Sequence, residues 1–250
     1  MDRSRLLADL RARPSRARVI TALDVPDAAR AVALARSLGP DGRLVKVGLE
    51  LFSAAGPAVI ESLRAEGREV FLDLMWHDIP QPIAGAARVA ARLGATFVTV
   101  HAAAGRRGLA AAAEALASAS GGGAPRPALL AVTVLTSLAP EELDEIAPSS
   151  EPLTTRVARL ARLAWDCGCD GVVCAAPDLP RLRAALGAAP LAVTPGIRPA
   201  TAGGDDQRRV STPAAAVADG ADFLVVGRPI TGAIDPAAAL RAILAELPER

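Results

Sequence analysis

The sequence predicts an α/β protein that folds as a single-domain (β/α)8 barrel, the TIM-barrel architecture. Short β-branched or apolar runs alternate with longer runs of Ala, Leu and Arg that have helical periodicity, which is typical of parallel strands joined by helices. Eight such units follow one another in 250 residues without a change of composition that would mark a domain boundary. An open doubly wound sheet would more often stop at about five or six strands.

Each predicted element follows from its own pattern of apolar residues. The predicted strands are Val19–Leu23, Leu44–Val47, Val70–Leu74, Phe97–Val100, Ala128–Val134, Gly171–Cys174, Leu191–Thr194 and Phe223–Val226. The predicted amphipathic helices are Ala28–Leu38, Ala58–Ala65, Ile83–Leu93, Ala110–Ala117, Leu153–Cys167, Leu179–Leu186, Pro213–Ala218 and Pro236–Leu247. Residues 1–17 form an N-terminal amphipathic extension, in which Leu6, Leu7 and Leu10 predict a short helix lying across the barrel of residues 18–250.

Composition narrows the class of partner. With 28 Lys and Arg against 27 Asp and Glu, the formal charge is +1, so we expect no nucleic-acid partner. Every hydrophobic run is interrupted well before the roughly 20 residues of a membrane span, so we expect no membrane partner.

Three cysteines crowded into one stretch, Cys167, Cys169 and Cys174, favour a buried core in a reducing compartment over a metal site or a disulfide framework. We therefore expect a cytoplasmic protein.

Acidic groups and one amine stand at the carboxyl ends of the first three strands, where barrels place reactive residues. Asp24 follows strand 1, Lys46 lies on strand 2, and Asp73 and Asp78 come from strand 3. Lys46 is the only lysine, which leaves 27 of the 28 basic residues as arginine, so we expect a role there that a guanidinium does not serve. A purely structural ion network is the alternative interpretation.

Glycines and arginines stand at the ends of strands 7 and 8. Barrels often bind phosphate with these two loops, because glycine lets backbone N–H groups approach the anion. The residues concerned are Gly196, Arg198, Gly227 and Arg228. The sequence therefore predicts a phosphate site, and glycines that only turn corners beside a solvated Arg228 are the alternative. His101, at the end of strand 4, either lines the same pocket or is a satisfied histidine of the rim.

Several segments resemble orotidine 5′-phosphate decarboxylase, in order and spacing, from about residue 18 to the C-terminus. They include Thr21-Ala-Leu-Asp24, Val45-Lys46-Val47-Gly48, Phe71-Leu-Asp73, His77-Asp-Ile-Pro80, Val132-Thr-Val-Leu-Thr-Ser137, Asp170-Gly-Val-Val-Cys174, Val193-Thr-Pro-Gly-Ile-Arg198, Asp206-Gln207-Arg208 and Val226-Gly-Arg-Pro-Ile-Thr231. The resemblance implies conversion of orotidine monophosphate (OMP) to UMP in pyrimidine biosynthesis, without a cofactor or a metal.

The resemblance also implies roles for the acidic residues and the amine. Asp24 and Lys46 are expected to hold the ribose hydroxyls, and Asp73 to press against the substrate carboxylate. Asp78 is expected to reach the site of a partner subunit, which implies a homodimer.

The resemblance also implies which residues lie near the pyrimidine and the phosphate of the substrate. Thr136 and its neighbour Ser137 are expected near the pyrimidine edge, and the loop Pro199–Arg209 is expected to close as a lid. The phosphate is expected to be held by Arg198, Gln207, Gly227 and Arg228.

One departure falls at the centre of the family pattern Asp-x-Lys-x-x-Asp, because Met75 stands where that pattern has its catalytic lysine. Methionine has no proton to give, and loss of a positioned general acid costs roughly 10²–10⁴ in rate. With Lys46 as the only remaining amine, like-charge repulsion is expected to raise the pKa of Asp73 or Asp78. A second departure is Gln81-Pro82, where the family has Asn-Thr, so a hydroxyl expected near the ribose is lost.

These observations predict an OMP decarboxylase, a carboxy-lyase, whose activity is strongly reduced by Met75. Two alternatives remain at this point. One is a non-catalytic paralogue that binds UMP or OMP without turnover, and the other is a metal-dependent barrel enzyme that acts on sugar phosphates.

Overall fold

Eight parallel strands close into a barrel, as the sequence predicted. The structure, a computed structural model, describes residues 2–119, 125–199 and 210–248. Each strand pairs with the next, and the last pairs with the first. The strands are β1 (Val19–Ala22), β2 (Leu44–Val47), β3 (Glu69–Trp76), β4 (Phe97–His101), β5 (Ala128–Val132), β6 (Gly171–Val173), β7 (Leu191–Thr194) and β8 (Phe223–Val226).

Helices surround the barrel and connect successive strands. They are α1 (Arg3–Arg11), α2 (Ala28–Ser37), α3 (Leu49–Ala55), α4 (Ala58–Ala65), α5 (Pro80–Arg92), α6 (Gly105–Ser118), α7 (Pro140–Ile146), α8 (Leu153–Asp166), α9 (Leu179–Leu186), α10 (Pro213–Ala218), α11 (Arg228–Thr231) and α12 (Pro236–Ala245). No helix in the described ranges combines the length and apolar character that a membrane span requires.

Local sequence signals explain where several helices begin. The carboxylate of Asp27 accepts a hydrogen bond of 2.8 Å from the backbone N–H of Arg30 and caps α2. Asp235 caps α12 in the same way, with Pro236 in the first turn. Pro80 likewise opens α5. Helices α2 and α12 therefore start where the sequence predicted, whereas α5 starts at Pro80, three residues before the predicted Ile83.

The hydrophobic core has two layers, because parallel strands bury both faces. Alternate strand residues fill the barrel, where the rings of Phe71, Phe97 and Phe223 pack edge to face. The intervening residues, such as Val45 and Val98, pack against the helices.

Helix α1 covers the amino ends of the strands. Its Leu6, Leu7 and Leu10 are buried and join the cluster that fills the barrel. The guanidinium of Arg3 stacks over the ring of Trp165, 3.5 Å from its centroid. The leucine spacing that predicted a short amphipathic helix thus corresponds to a helix packed on the barrel floor.

Strand β3 is longer than the predicted Val70–Leu74, and the added residues contain an irregularity. Leu72 pairs with Val98 and Trp76 pairs with Val100, so residues 73–75 of β3 lie opposite Thr99 alone. Such a bulge breaks the regular alternation of side chains. It explains why period-2 patterning predicted the end of this strand two residues early.

Candidate active site

A cavity of about 240 Å³ opens at the carboxyl ends of the strands. Every strand except β4 contributes to its wall, either directly or through the loop that follows it. Its polar lining residues are Asp24, Lys46, Asp73, Thr136, Arg198 and Arg228, and Met75, Pro195, Gly196 and Gly227 also line it. The structure therefore brings the acidic side and the glycine–arginine side of the predicted site into one cavity.

Asp24, Lys46 and Asp73 form a connected charge network on one side of this cavity. The Lys46 ammonium donates a hydrogen bond of 3.0 Å to Oδ1 of Asp24 and lies 3.7 Å from Oδ2 of Asp73. The side chains of Lys46 and Asp73 are only 12% and 11% exposed, whereas that of Asp24 is 59% exposed. A buried amine between two carboxylates can bind hydroxyl groups of a ligand while its own charge stays balanced.

Burial raises the pKa of Asp73 above its ordinary value. The Lys46 ammonium and the hydrogen bond from Thr99 oppose that rise in pKa, and the charge of Asp24 adds a smaller rise. The sequence predicted a raised pKa for Asp73 or Asp78, and the direction for Asp73 agrees with the structure. The predicted cause was like-charge repulsion, whereas desolvation makes the larger contribution to the rise in pKa.

Met75 lies beside Asp73 in the cavity wall and has a left-handed backbone, with φ of 49°. It is the only non-glycine residue with positive φ in the described part of the chain. Its N–H donates a hydrogen bond of 2.8 Å to the hydroxyl of Thr99. Its side chain packs against the cluster that fills the barrel. The position to which the resemblance assigns the proton-donating lysine therefore presents an apolar thioether.

The opposite wall is formed by the loops after β7 and β8. Gly196 has φ of 76°, a conformation that favours glycine. Arg198 and Ser211 are joined by a backbone hydrogen bond of 2.9 Å, and Ser211 donates another of 3.1 Å to the carbonyl of Gly196. These bonds join the two segments that flank the predicted lid, Pro199–Arg209. Gln207 and residues 200–209 of that lid lie outside the described residues.

Gly227 and Arg228 complete this wall at the start of α11. A Cβ at Gly227 would lie 3.6 Å from Cβ of Ala22 and 3.8 Å from Oδ2 of Asp24. The glycine thus leaves open space between its backbone and the acidic side of the cavity. Two guanidinium groups, of Arg198 and Arg228, line the same region, and this favours an anionic ligand group.

Asp78 and Ser137 stand outside the cavity of the same chain. Asp78 is exposed, accepts a hydrogen bond of 2.6 Å from the N–H of Ile79, and lines a separate shallow depression with His77 and Arg107. Ser137 is exposed, whereas its neighbour Thr136 lines the cavity. The single chain therefore assembles only part of the predicted set.

Gln81 and Pro82 lie in the exposed first turn of α5 and do not line the cavity. Within one chain this pair therefore does not border the cavity, and the loss of a hydroxyl near the ribose stays a prediction. The physical reason is that the chain turns outward after β3, at His77 and Asp78, before α5 begins.

His101 makes contacts within the rim of the barrel and does not line the cavity. Its Nδ1 accepts a hydrogen bond of 3.2 Å from the N–H of Ala103, and its ring stacks on that of His77 with centroids 5.3 Å apart. Burial and the neighbouring His77 lower the pKa of His101. Of the two interpretations of this residue, the satisfied rim histidine describes these contacts.

The three cysteines are free and buried. Burial raises the pKa of Cys169 and of Cys167, which favours the protonated thiol at neutral pH. Within residues 2–119, 125–199 and 210–248, no group of His, Cys, Asp and Glu side chains is arranged to hold a metal ion. The core interpretation of the cysteines fits these observations.

Two residues of the site were not singled out by the sequence. Thr99 connects Asp73 to the backbone of Met75, and its signal was a polar residue at an interior position of β4. Gly48 leaves room for the charge network, because a Cβ there would lie 3.0 Å from Nζ of Lys46 and 3.3 Å from Oδ1 of Asp24. The sequence shows the glycine close to Lys46, but only the folded loop shows which groups a side chain at residue 48 would contact.

A closed parallel barrel with polar residues at the carboxyl ends of its strands is typical of (β/α)8 enzymes. Here a wall of acidic residues and one amine faces a wall that carries two arginines. A family model, "Orotidine 5′-phosphate decarboxylase / HUMPS family", matches residues 17–243. The chain belongs to this family.

Individual relatives agree with the family model. The orotidine 5′-phosphate decarboxylase of Halorhodospira halophila is 54% identical over 234 residues, covering 94% of this chain and 97% of the relative. That of Chromobacterium violaceum is 52% identical over 225 residues, covering 90% and 89%. The crystal structure of orotidine 5′-phosphate decarboxylase from Lactobacillus acidophilus superposes with a TM-score of 0.82 at 41% identity, covering 91% of this chain and 97% of that one. The class of this enzyme is therefore a carboxy-lyase of pyrimidine biosynthesis.

Proposed function

We propose that the cavity binds OMP and UMP, and that the chain converts OMP to UMP and CO2 at a strongly reduced rate. One observation carries this proposal. A single cavity joins the Asp24–Lys46–Asp73 network to the loops of Arg198 and Arg228, and Met75 lies in the wall that carries Asp73. The arrangement can hold a phosphorylated ribonucleotide but lacks an amine at residue 75.

The two walls divide the ligand between them in this proposal. The phosphate binds to the guanidinium groups of Arg198 and Arg228 and to the backbone of Gly227, with Gln207 from the lid, since charge-assisted bonds to phosphate are strong. The ribose hydroxyls bind to Asp24 and Lys46. Thr136, with Ser137, borders the pyrimidine.

Asp73 faces the carboxylate that leaves as CO2. An ionised Asp73 repels that carboxylate in the ground state, and a fraction of neutral Asp73 relieves the repulsion. Because burial raises the pKa of Asp73, the repulsion between Asp73 and the substrate carboxylate is weaker than it would be between two fully ionised groups.

Met75 removes a second contribution to the reaction, the stabilisation and protonation of the carbanion. Loss of C–CO2⁻ bonding leaves negative charge on the pyrimidine carbon, which needs a nearby cation and then a proton. With methionine at residue 75, solvent water supplies that proton in the residual reaction. Without a cation at residue 75 the rate falls by roughly 10²–10³, and without the proton donor it falls by roughly 10²–10⁴. Substrate binding depends on other residues, so affinity survives while turnover is strongly reduced.

The working unit in this proposal is a homodimer in the cytoplasm. Asp78 is exposed and lies outside the cavity of its own chain, which suits a carboxylate that completes the site of a second copy. The three buried, free cysteines suit a reducing compartment.

A non-catalytic nucleotide-binding protein is the second candidate function, and Met75 is the observation that favours it. Calorimetry with UMP, together with ultraviolet detection of OMP loss, tests both. We expect UMP binding and slow but measurable OMP loss. Binding with no turnover would establish the second candidate, and absence of UMP binding would contradict both.

A further inference from the structure

The bulge in β3 lies opposite one buried residue of the neighbouring strand. Regular pairing between β3 and β4 holds at Leu72 with Val98 and resumes at Trp76 with Val100. Between these pairs, residues 73–75 face only Thr99, whose side chain is fully buried. The bulge therefore leaves backbone groups of β3 without their usual partners on β4.

The hydroxyl of Thr99 takes the place of those missing partners. It donates a hydrogen bond of 2.8 Å to Oδ1 of Asp73 and accepts one of 2.8 Å from the N–H of Met75. One hydroxyl thereby fixes a carboxylate and the left-handed backbone of residue 75, two positions apart on the same strand.

We propose that Thr99 is a positioning residue for decarboxylation, which sets the Asp73 carboxylate and directs the side chain of residue 75 into the cavity. This inference rests on the proposed function, because it assigns Asp73 and residue 75 to the reaction. Thr99 does not line the cavity and acts through the two residues that do.

A hydroxyl suits both contacts at this position. It can donate one hydrogen bond and accept others at the same time. Valine has nearly the shape of threonine but can do neither, and serine can do both. This contrast makes the proposal testable with small substitutions.

Thr99 also acts on the ionisation of Asp73. The charged groups that face Asp73 are Lys46 from β2 and Asp24 from the end of β1, and Thr99 faces it from β4. Its hydrogen bond favours the ionised carboxylate and lowers the pKa that burial raises. Without the hydroxyl, the pKa of Asp73 must rise further.

The direct test is an NMR titration of the Asp73 carboxyl carbon in the unaltered chain and in Thr99→Val and Thr99→Ser, with Asp73→Asn to assign the resonance. We expect the titration midpoint to move to higher pH in Thr99→Val and to stay in place in Thr99→Ser. An unchanged midpoint in Thr99→Val would overturn the proposal. This readout does not depend on turnover, so it separates a failure here from a failure of the proposed function.

A second test uses activity in the Met75→Lys background. We expect Thr99→Val to lower kcat by roughly 10- to 100-fold, the scale of a small misplacement of reacting groups, with little change in KM, and Thr99→Ser to restore kcat. The matched control is Thr21→Val, since Thr21 is fully buried on β1 and its hydroxyl has no hydrogen-bond partner among the described residues. An equal loss of kcat in Thr21→Val, or no rescue by Ser, would contradict a positioning role.

Discussion

Nζ of Lys46 lies 3.7 Å from Oδ2 of Asp73, while its hydrogen bond goes to Asp24, 3.0 Å away. The one lysine of this chain is thus bound between two carboxylates. For Lys46 to act in place of the amine that is missing at residue 75, both contacts would have to break. A displacement of about 1 Å can already lower a reaction rate roughly 100-fold. We therefore expect Lys46 to serve ligand binding and charge balance.

The raised pKa of Asp73 predicts a pH-dependent stability. Between the ordinary and the raised pKa the folded chain binds more protons than the unfolded chain, so this group's contribution to stability falls as pH rises through that window. We expect Asp73→Asn, which does not ionise, to unfold at higher urea concentration than the parent at neutral pH. The difference should shrink as the pH falls toward about 4.

Asp144→Asn on exposed α7 is the control for this experiment. It should leave the urea midpoint near that of the parent at every pH. A constant difference between Asp73→Asn and the parent across the pH range would show that the ionisation of Asp73 has no part in it.

Gly48→Ala should weaken UMP binding by disturbing the charge network. The added Cβ would lie 3.0 Å from Nζ of Lys46, closer than ordinary contact, so the ammonium must move. Calorimetry should show a clear loss of affinity with the thermal midpoint nearly unchanged. The control is Gly85→Ala on α5, where a Cβ meets nothing within 4 Å, and equal UMP affinities of the two variants would refute the expectation.

Arg228→Ala should weaken UMP binding by about 2–4 kcal/mol, the scale of a lost charge-assisted hydrogen-bond pair. That corresponds to roughly 30- to 900-fold in the dissociation constant. Arg241→Ala, on the exposed side of α12, should bind UMP like the parent. If UMP binds equally well to Arg228→Ala and Arg241→Ala, the phosphate does not lie where we place it.

Asp170 holds the floor of the barrel together. It is fully buried, accepts hydrogen bonds of 2.6 and 2.8 Å from the guanidinium of Arg126, and accepts another of 2.8 Å from the N–H of Leu129. Removing one partner of a buried pair costs about 3–5 kcal/mol, so Asp170→Ala should lower the free energy of unfolding by that amount.

The matched control for Asp170 is Glu151→Ala, which breaks an ion pair with the 59% exposed Arg159. Exposed pairs contribute about 0–1 kcal/mol. Equal losses in urea denaturation for the two variants would mean that burial does not set the strength of the Asp170 pair.

The sequence was sufficient for the fold because each unit repeats one physical pattern. Val and Leu runs that bury both faces, followed by amphipathic helices, predicted all eight strands and their parallel order. The predicted ends of several other strands differ by one or two residues, as in β5, which was predicted to end at Val134 and ends at Val132. Strand β3 differs most in length, since a bulge against the neighbouring strand cannot be seen in local alternation.

The candidate site was partly accessible from the sequence. Residues at strand ends, such as Lys46, Asp73 and Arg228, share the cavity, because barrel geometry alone brings strand ends together. The contributions of Thr99 and Gly48 depend on distances of about 3 Å across strands and loops. Such distances arise from packing, which no local pattern encodes.

The most direct test compares OMP loss, followed by ultraviolet absorbance, in the unaltered chain and in Met75→Lys. A lysine there would stand next to Asp73 in the cavity wall and supply both the cation and the proton. We predict a turnover near background for the unaltered chain and a gain of at least about 10³ in Met75→Lys. Full decarboxylase activity in the unaltered chain, or no gain in Met75→Lys, would contradict our account of this site.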